Sequence, residues 1–432
     1  MHLAERAYFL IVATAVLAIA ALWSSQPALA GLWRWPAALL LAGLACEALC
    51  IRKVVLHADV ETDSHAALGR EQPAAFTFRN ESARALDIEF APVTPAGFEP
   101  LTATRRVAVP AAGRAADAFT LLPLRLGPQF WPALPLRCLG PVGLAWWSRV
   151  LPIMKNIAVA PDALRRNRAR PRGRLTGLRG RRSLGAGSEL YQLRAYSPGD
   201  PLARIDWKAT ARSGQLVSRE FSEDQHLDIL IAIDAGRFSR VGAGRLDRFG
   251  LYANIASRFA QIATPNDDRV GLVVFAERPL ALCAPERGLR AITRLHTTLA
   301  RCNAESRESD PLAAALAIRT LLKHRSLVIW LTDLDDAAAA VPLARAVKLL
   351  APPHLVVVAG AMSPEIHALA QREARTWRDP WIGLAALEQE SCAAAQRLQL
   401  QRLGAPVIAA AEENLQEAIF GEYERLRRRR RV

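Results

Sequence analysis

Two apolar runs open the chain. Ala7–Trp23 carries no charge, and Trp35–Ile51 carries only Glu47. Each is about 17 residues, the short end of what crosses a bilayer. Separated by SSQPALAGLWR, they predict a transmembrane helical hairpin over residues 1–53. Trp23, Trp33 and Trp35 fall where interfacial aromatics gather. The ALA at Ala28–Ala30 would also suit the end of a signal peptide, in which case the second run still anchors the chain. Arg52 and Lys53 follow that run, and basic flanks stay in the cytoplasm. The expected location is the bacterial inner membrane, with the soluble domains facing the cytoplasm. Glu47 reads either as an intramembrane functional acid or as a side chain snorkelling to the interface.

The pattern then changes twice. Residues 54–160 consist of short β-prone runs broken by Asn80–Glu81–Ser82 and by recurring Pro and Gly, which predicts a β-sandwich-like domain. Residues 161–186 form an Arg-rich linker, 187–225 a separate compact motif, and 226–432 an alternating region. HLDILIAID (226–234), DRVGLVVFA (268–276), SLVIWLTDLDD (326–336) and HLVVVAG (354–360) read as buried strands. Helical periods lie between them: Leu246, Phe249, Ala253, Ala256 and Ala260 at spacings of 3 and 4, then PLAAALAIRTLLK (311–323) and LARAVKLL. Near-continuous apolar strands alternating with helices predict an α/β Rossmann-like fold with a mostly parallel sheet covered on both faces. Sites in such sheets lie at the carboxyl ends of strands, where Asp234 and Asp333 fall.

The net charge of +15 is mostly arginine, since only five lysines are present. Arg165–Arg182 holds nine arginines, among them Arg165, Arg166, Arg168, Arg170, Arg172 and Arg174, and the chain ends RLRRRRRV. No aromatic interleaves these runs, so bases have no stacking platform. Anionic lipid headgroups are the favoured polyanion and nucleic acid the disfavoured one. The six cysteines are scattered without CxxC, which suggests neither a disulfide framework nor a zinc site. No lysine follows a glycine, which excludes a Walker A loop, and neither HExxH nor GxSxG occurs.

The most specific stretch is LRAYSPGDPLARIDWKATAR (193–212). Ser197–Asp200 has the Pro and Gly positions of a type II turn. Asp200 reads as an N-cap with Pro201 at the first position of a helix that Gly214 closes. On that helix Arg204, Lys208 and Arg212 form one basic stripe. Asp206 faces elsewhere and calls for a partner such as Arg194 or Arg219, while Trp207 packs the helix onto the sheet. A hydrolase would pair Asp206 with Glu189 or Glu220. Nearby arginines depress both pKa values, however, where a general acid needs one raised.

Two resemblances follow from these residues. Residues 187–221 resemble the bacterial domain-of-unknown-function family 58 (DUF58), whose pattern runs G-x-E-F-x-x-L-R-x-Y-x-x-G-D-x-x-R-x-I-D-W-x-A-x-A-R. Glu189, Arg194, Tyr196, Gly199, Asp200, Arg204, Asp206, Trp207 and Arg212 match, Lys208 lies among them, and Leu190 replaces the usual Phe. The alternating region resembles a von Willebrand factor A-like domain. That family's metal loop is D-x-S-x-S, with a later Thr and an Asp after the fourth strand. Asp234 and Asp333 match the acids, and Ser309 stands for the Thr. Gly236 and Phe238 replace the serines, and Ser239 is one position out of register. The resemblance implies a degenerate Mg²⁺ site at Asp234, Ser239, Ser309 and Asp333, while the residues themselves equally suit acids that cap helices or bind backbone N–H groups. The first family implies partnership with a MoxR-type AAA+ ATPase and no known reaction. The expectation is a membrane-anchored, non-enzymatic adaptor, with no catalytic residues and no firm cofactor. The alternatives are a hydrolase using Glu189, Asp206 or Glu220, or a lipid or nucleic-acid binder through Arg165–Arg182.

Overall fold

A computed structural model describes residues 2–23, 31–162, 184–185, 189–222, 226–336 and 338–429. The arginines expected to contact polyanions, Arg165 to Arg182, lie outside the described residues. The chain forms two compact units, Met1–Pro161 and Asp162–Val432.

The first unit begins with a two-residue strand β1 (His2–Leu3) and two apolar helices, α1 (Glu5–Trp23) and α2 (Arg34–Arg52), which pack on one another. Among the described residues one helix, α2, is long and apolar enough to cross a membrane. Both helices expose large apolar side chains, including Phe9, Val12 and Val16 on α1 and Leu39, Leu41 and Leu49 on α2. Ten strands follow: β2 (Leu56–Glu61), β3 (His65–Ala67), β4 (Gln72–Asn80), β5 (Leu86–Phe90), β6 (Arg105–Val109), β7 (Arg114–Leu121), β8 (Gly127–Phe130), β9 (Leu134–Leu139), β10 (Ala145–Leu151) and β11 (Asn156–Ala160). Together with β1 they make three sheets, ordered β1-β10-β9-β5-β6, β2-β4-β7 and β3-β11-β8. Alternation along β4 and β9 turns every second residue inward. The resulting core is aromatic, with Phe76 5.4 Å from Phe90 across two sheets and 4.6 Å from Phe119 on the neighbouring strand.

Glu47 departs from the snorkelling expectation. It is fully buried, and its carboxylate accepts from Val142 N (3.1 Å), Leu144 N (2.9 Å), Ala145 N (3.0 Å) and Trp147 Nε1 (3.3 Å). The β9–β10 hairpin supplies enough donors to replace water, so the acid faces the β-domain and not solvent.

The second unit contains a small three-stranded sheet, β12 (Leu184–Gly185), β14 (Val217–Ser222) and β13 (Glu189–Ala195), with a 3₁₀ turn at Leu202–Arg204 and helix α3 (Trp207–Ser213). Its main body comprises β15 (Asp228–Asp234), the short pair β16 (Gly242–Ala243) and β17 (Leu246–Asp247), α4 (Arg248–Ala263), β18 (Arg269–Phe275), β19 (Pro279–Glu286), α5 (Gly288–Leu299), α6 (Pro311–Leu321), β20 (Leu327–Leu331), α7 (Ala340–Leu350), β21 (Leu355–Ala361), α8 (Pro364–Ala370), α9 (Asp379–Arg402), β22 (Val407–Ala410) and α10 (Glu412–Arg429). Six of these strands form one sheet in the order β19-β18-β15-β20-β21-β22. All pairings are parallel except β18–β19, which is antiparallel. The sheet is therefore mixed, with an antiparallel edge strand that its own sequence did not announce. Along β15, Leu230 and Ala232 join Trp330, Val347 and Leu400 in the core on one face. Helices α4, α5 and α10 pack on the other face.

Candidate functional site

Two polar constructions stand out in the second unit. The first lies at the carboxyl ends of β15 and β20. Asp234 ends β15 and is 5 % exposed. Its Oδ1 accepts from Gly236 N (2.8 Å) and from Ser309 Oγ, and its Oδ2 accepts from Thr332 Oγ1 at 2.7 Å. Burial pushes its pKa up, against those three hydrogen bonds. Ser239 donates to the Asp234 backbone oxygen at 2.7 Å. Gly236 has no room for a side chain, because a Cβ there would lie 2.1 Å from Ser309 Oγ. The Ser309 hydroxyl, arriving from another loop, occupies the space that a side chain at residue 236 would take.

Asp333 is engaged differently. Asp247 caps α4 by accepting from Gly250 N at 2.7 Å. The next residue, Arg248, is 2 % exposed. Its Nη1 contacts Asp333 Oδ2, and its Nη2 reaches Asp335 Oδ2 (3.2 Å) and Ser363 Oγ (2.6 Å). Burial raises the Asp333 pKa to about 6, with Arg248 opposing the shift. Asp333 also accepts from Asp335 N at 2.8 Å, the backbone role open to it from sequence. The site does bring Asp234, Ser239 and Ser309 together, but each is turned to another protein group. The donor set fits a guanidinium better than a divalent cation: Arg248 already holds the Asp333 carboxylate, and Mg²⁺ demands near-octahedral oxygen ligation. Among the described residues no group of three His, Cys, Asp or Glu side chains is placed to hold a metal. Thr332 and Arg248 were missed in the sequence. The adjacent Thr332–Asp333 pair was a signal, whereas Arg248 was one arginine among many.

The second construction is the signature stretch. Arg194, on β13, bridges two acids: Nη2 donates to Asp200 Oδ1 at 2.8 Å and Nε to Glu220 on β14. It also reaches Ala195 O and Ser197 Oγ, each at 3.1 Å. The Asp200 pKa is lowered, first by the Ser197 amide and then by Arg194. That of Glu220 is lowered by Gln192 and then Arg194. Tyr196 OH donates to Asp200 O at 3.4 Å. Gly199 sits at φ +111°, which the turn demands and side chains resist.

Several expectations are corrected here. The helix expected from Pro201 to Arg212 is broken. Ile205 and Asp206 are extended, Ile205 is buried and bridges Ser218 on β14, and α3 starts only at Trp207. Asp206, not Asp200, is the N-cap, accepting from Ala209 N at 2.9 Å. The ion-pair partners of Arg194 are Asp200 and Glu220, not Asp206. Arg204 sits on the 3₁₀ turn, so only Lys208 and Arg212 share a helix face. Trp207 does not pack inward: it is 68 % exposed, as is Leu202 at 70 %. Glu189 begins β13, and the placement of its carboxylate lies outside the described residues.

A six-stranded mixed α/β sheet with a buried acid–arginine cluster at its strand ends, together with an arginine-clasped hairpin, defines the class of this unit. Residues 192–380, which span both constructions, match the family described as "Protein of unknown function DUF58". Uncharacterized proteins of Mycobacterium tuberculosis and Mycobacterium bovis are each 24% identical over 151 residues, 34% of this chain and 48% of theirs. The chain thus spans about half the length of the curated relatives it matches. Among solved structures, the conserved hypothetical protein BatB from Bacteroides thetaiotaomicron is 15% identical, with a TM-score of 0.29 over 46% of this chain and 99% of that one. The CARDB domain of PF1109 from Pyrococcus furiosus is 8% identical, with a TM-score of 0.19 over 25% and 96%.

Proposed function

We propose that this protein is a membrane-anchored, non-enzymatic adaptor. In this reading the apolar helices hold the chain in the inner membrane, and the second unit is a von Willebrand factor A-like domain presented to the cytoplasm. Its partner is a MoxR-type AAA+ ATPase. The observation that carries the reading is Trp207. A tryptophan left 68 % exposed at the start of a capped helix that also carries Lys208 and Arg212, with Leu202 exposed on the turn before it, has the composition of a binding hot spot. The Arg194 clasp holds the chain leading into it, so little ordering cost attends binding. The lowered pKa values of Asp200 and Glu220 suit ion pairs and not a general acid. Arg248 at the strand ends supports a contact that needs no metal bridge.

The test is binding of the full-length chain, in detergent, to a purified MoxR-type ATPase. Trp207→Ala is expected to weaken binding about 30-fold, the ~2 kcal/mol typical of a hot-spot residue. Lys208→Glu with Arg212→Glu should weaken it further and reduce its salt dependence. EDTA should leave the wild-type affinity unchanged. Undiminished binding by both variants, or no binding by the wild type, defeats the proposal.

A further inference from the structure

The first unit holds an open cavity of about 960 Å³ that the adaptor reading does not use. Its walls are the start of α1 and the end of α2, with the β1-β10-β9-β5 sheet below. Five cationic side chains line it: Arg6, Lys53, Arg84, Arg106 and Arg137. Three acids, Glu5, Asp87 and Glu89, leave an excess of two positive charges (5 − 3). The cations are not equally committed. Arg106 pairs with Glu89 at 2.9 Å and lies over the Trp146 ring at 5.5 Å. Arg6 donates to Val142 O at 3.2 Å, and Arg84 reaches Cys50 Sγ at 3.8 Å. Among the described residues Lys53 and Arg137 have no ion-pair partner.

The cavity is built before any ligand arrives. Glu47 ties α2 to the β9–β10 hairpin through four donors, and β1 hydrogen-bonds along β10. Position matters as much as charge. The lining includes Tyr8 in the first turn of α1 and Cys50 in the last turn of α2, and their neighbours Phe9 and Leu49, one step further into each helix, are 76 % and 62 % exposed. A charged cleft therefore opens where an exposed apolar helix surface begins. One ligand class satisfies both halves: a phosphodiester anion carrying acyl chains.

We infer that this cavity binds the headgroup of an anionic phospholipid, with Lys53 and Arg137 as its free phosphate ligands and the chains lying along Phe9 and Leu49. The inference rests on the membrane-anchor part of the proposed function. The shared chemistry is phosphate, so a soluble phosphate is the other source to separate.

The experiment uses the full-length chain in a neutral detergent and follows lipid adducts by native mass spectrometry and unfolding by thermal melt. Phosphatidylglycerol is expected to bind and raise Tm, phosphatidylcholine and 10 mM inorganic phosphate to do neither. Lys53→Ala with Arg137→Ala should weaken phosphatidylglycerol binding at least about tenfold, as loss of two charge-assisted contacts predicts, with Tm unchanged when lipid is absent. Equal binding of phosphatidylcholine, or an unchanged double variant, overturns the site. Stabilisation by inorganic phosphate as large as by lipid overturns the lipid assignment. Alkaline carbonate extraction of membranes tests the anchor separately. A chain that resists extraction while the double variant binds normally loses only the headgroup site, whereas an extracted chain loses both.

Discussion

Arg248 and Asp333 make a buried pair whose ionisation is coupled to folding. Because burial lifts the Asp333 pKa to about 6, the folded state holds that proton more tightly than the unfolded state does. The stability this contributes is fully present below the ordinary aspartate range and is lost as pH rises through about 6. It amounts to at most about 3 kcal/mol for a shift of this size. Asp234 shifts in the same direction, so the signature must be read as a difference between proteins. Relative to Asp333→Asn, the wild type should gain stability as pH falls from 7 to 4 in urea titrations, and parallel curves would exclude the shift. At the neighbouring position, Gly236→Ala should cost about 1–3 kcal/mol through overpacking against Ser309. Adding Ser309→Ala should recover part of that loss. If the double variant is as unstable as the single one, the crowding lies elsewhere.

Legibility varied element by element, for physical reasons. β15, β18, β20 and β21 were visible because strands buried on both faces read as unbroken apolar runs. β19 was not, because its burial alternates weakly and its partner, not its own composition, makes it a strand. The break before α3 was hidden for another reason. Asp206 and Trp207 are compatible with continuing a helix, and only the bridge from Ile205 to Ser218 forces the chain to extend first. That single tertiary contact converted a three-member basic stripe into a pair and turned Trp207 outward. The candidate site was legible in its acids, Asp234 and Asp333. It was not legible in what holds them, since Thr332 and Arg248 are brought there by the sheet and by α4.

At the scale of the first unit, Glu47 is the joint between an apolar helix and a β-hairpin. Glu47→Ala would leave buried N–H groups without an acceptor and should cost about 3 kcal/mol or more in detergent. Glu47→Gln, which retains one acceptor oxygen, should fall between. An alanine variant that unfolds with the wild type would show the joint to be idle. The β1–β10 pairing has a further consequence, for the order of assembly. It brings His2 beside Trp146, so nearly the whole first unit must be synthesised before that seam can close. If the intervening helices lodge in a bilayer, the far edge of the five-stranded sheet stays open until both have been inserted with their ends returned to the same side. An inverted helix would keep β1 away from β10 and leave an unpaired, sticky edge for quality control to recognise.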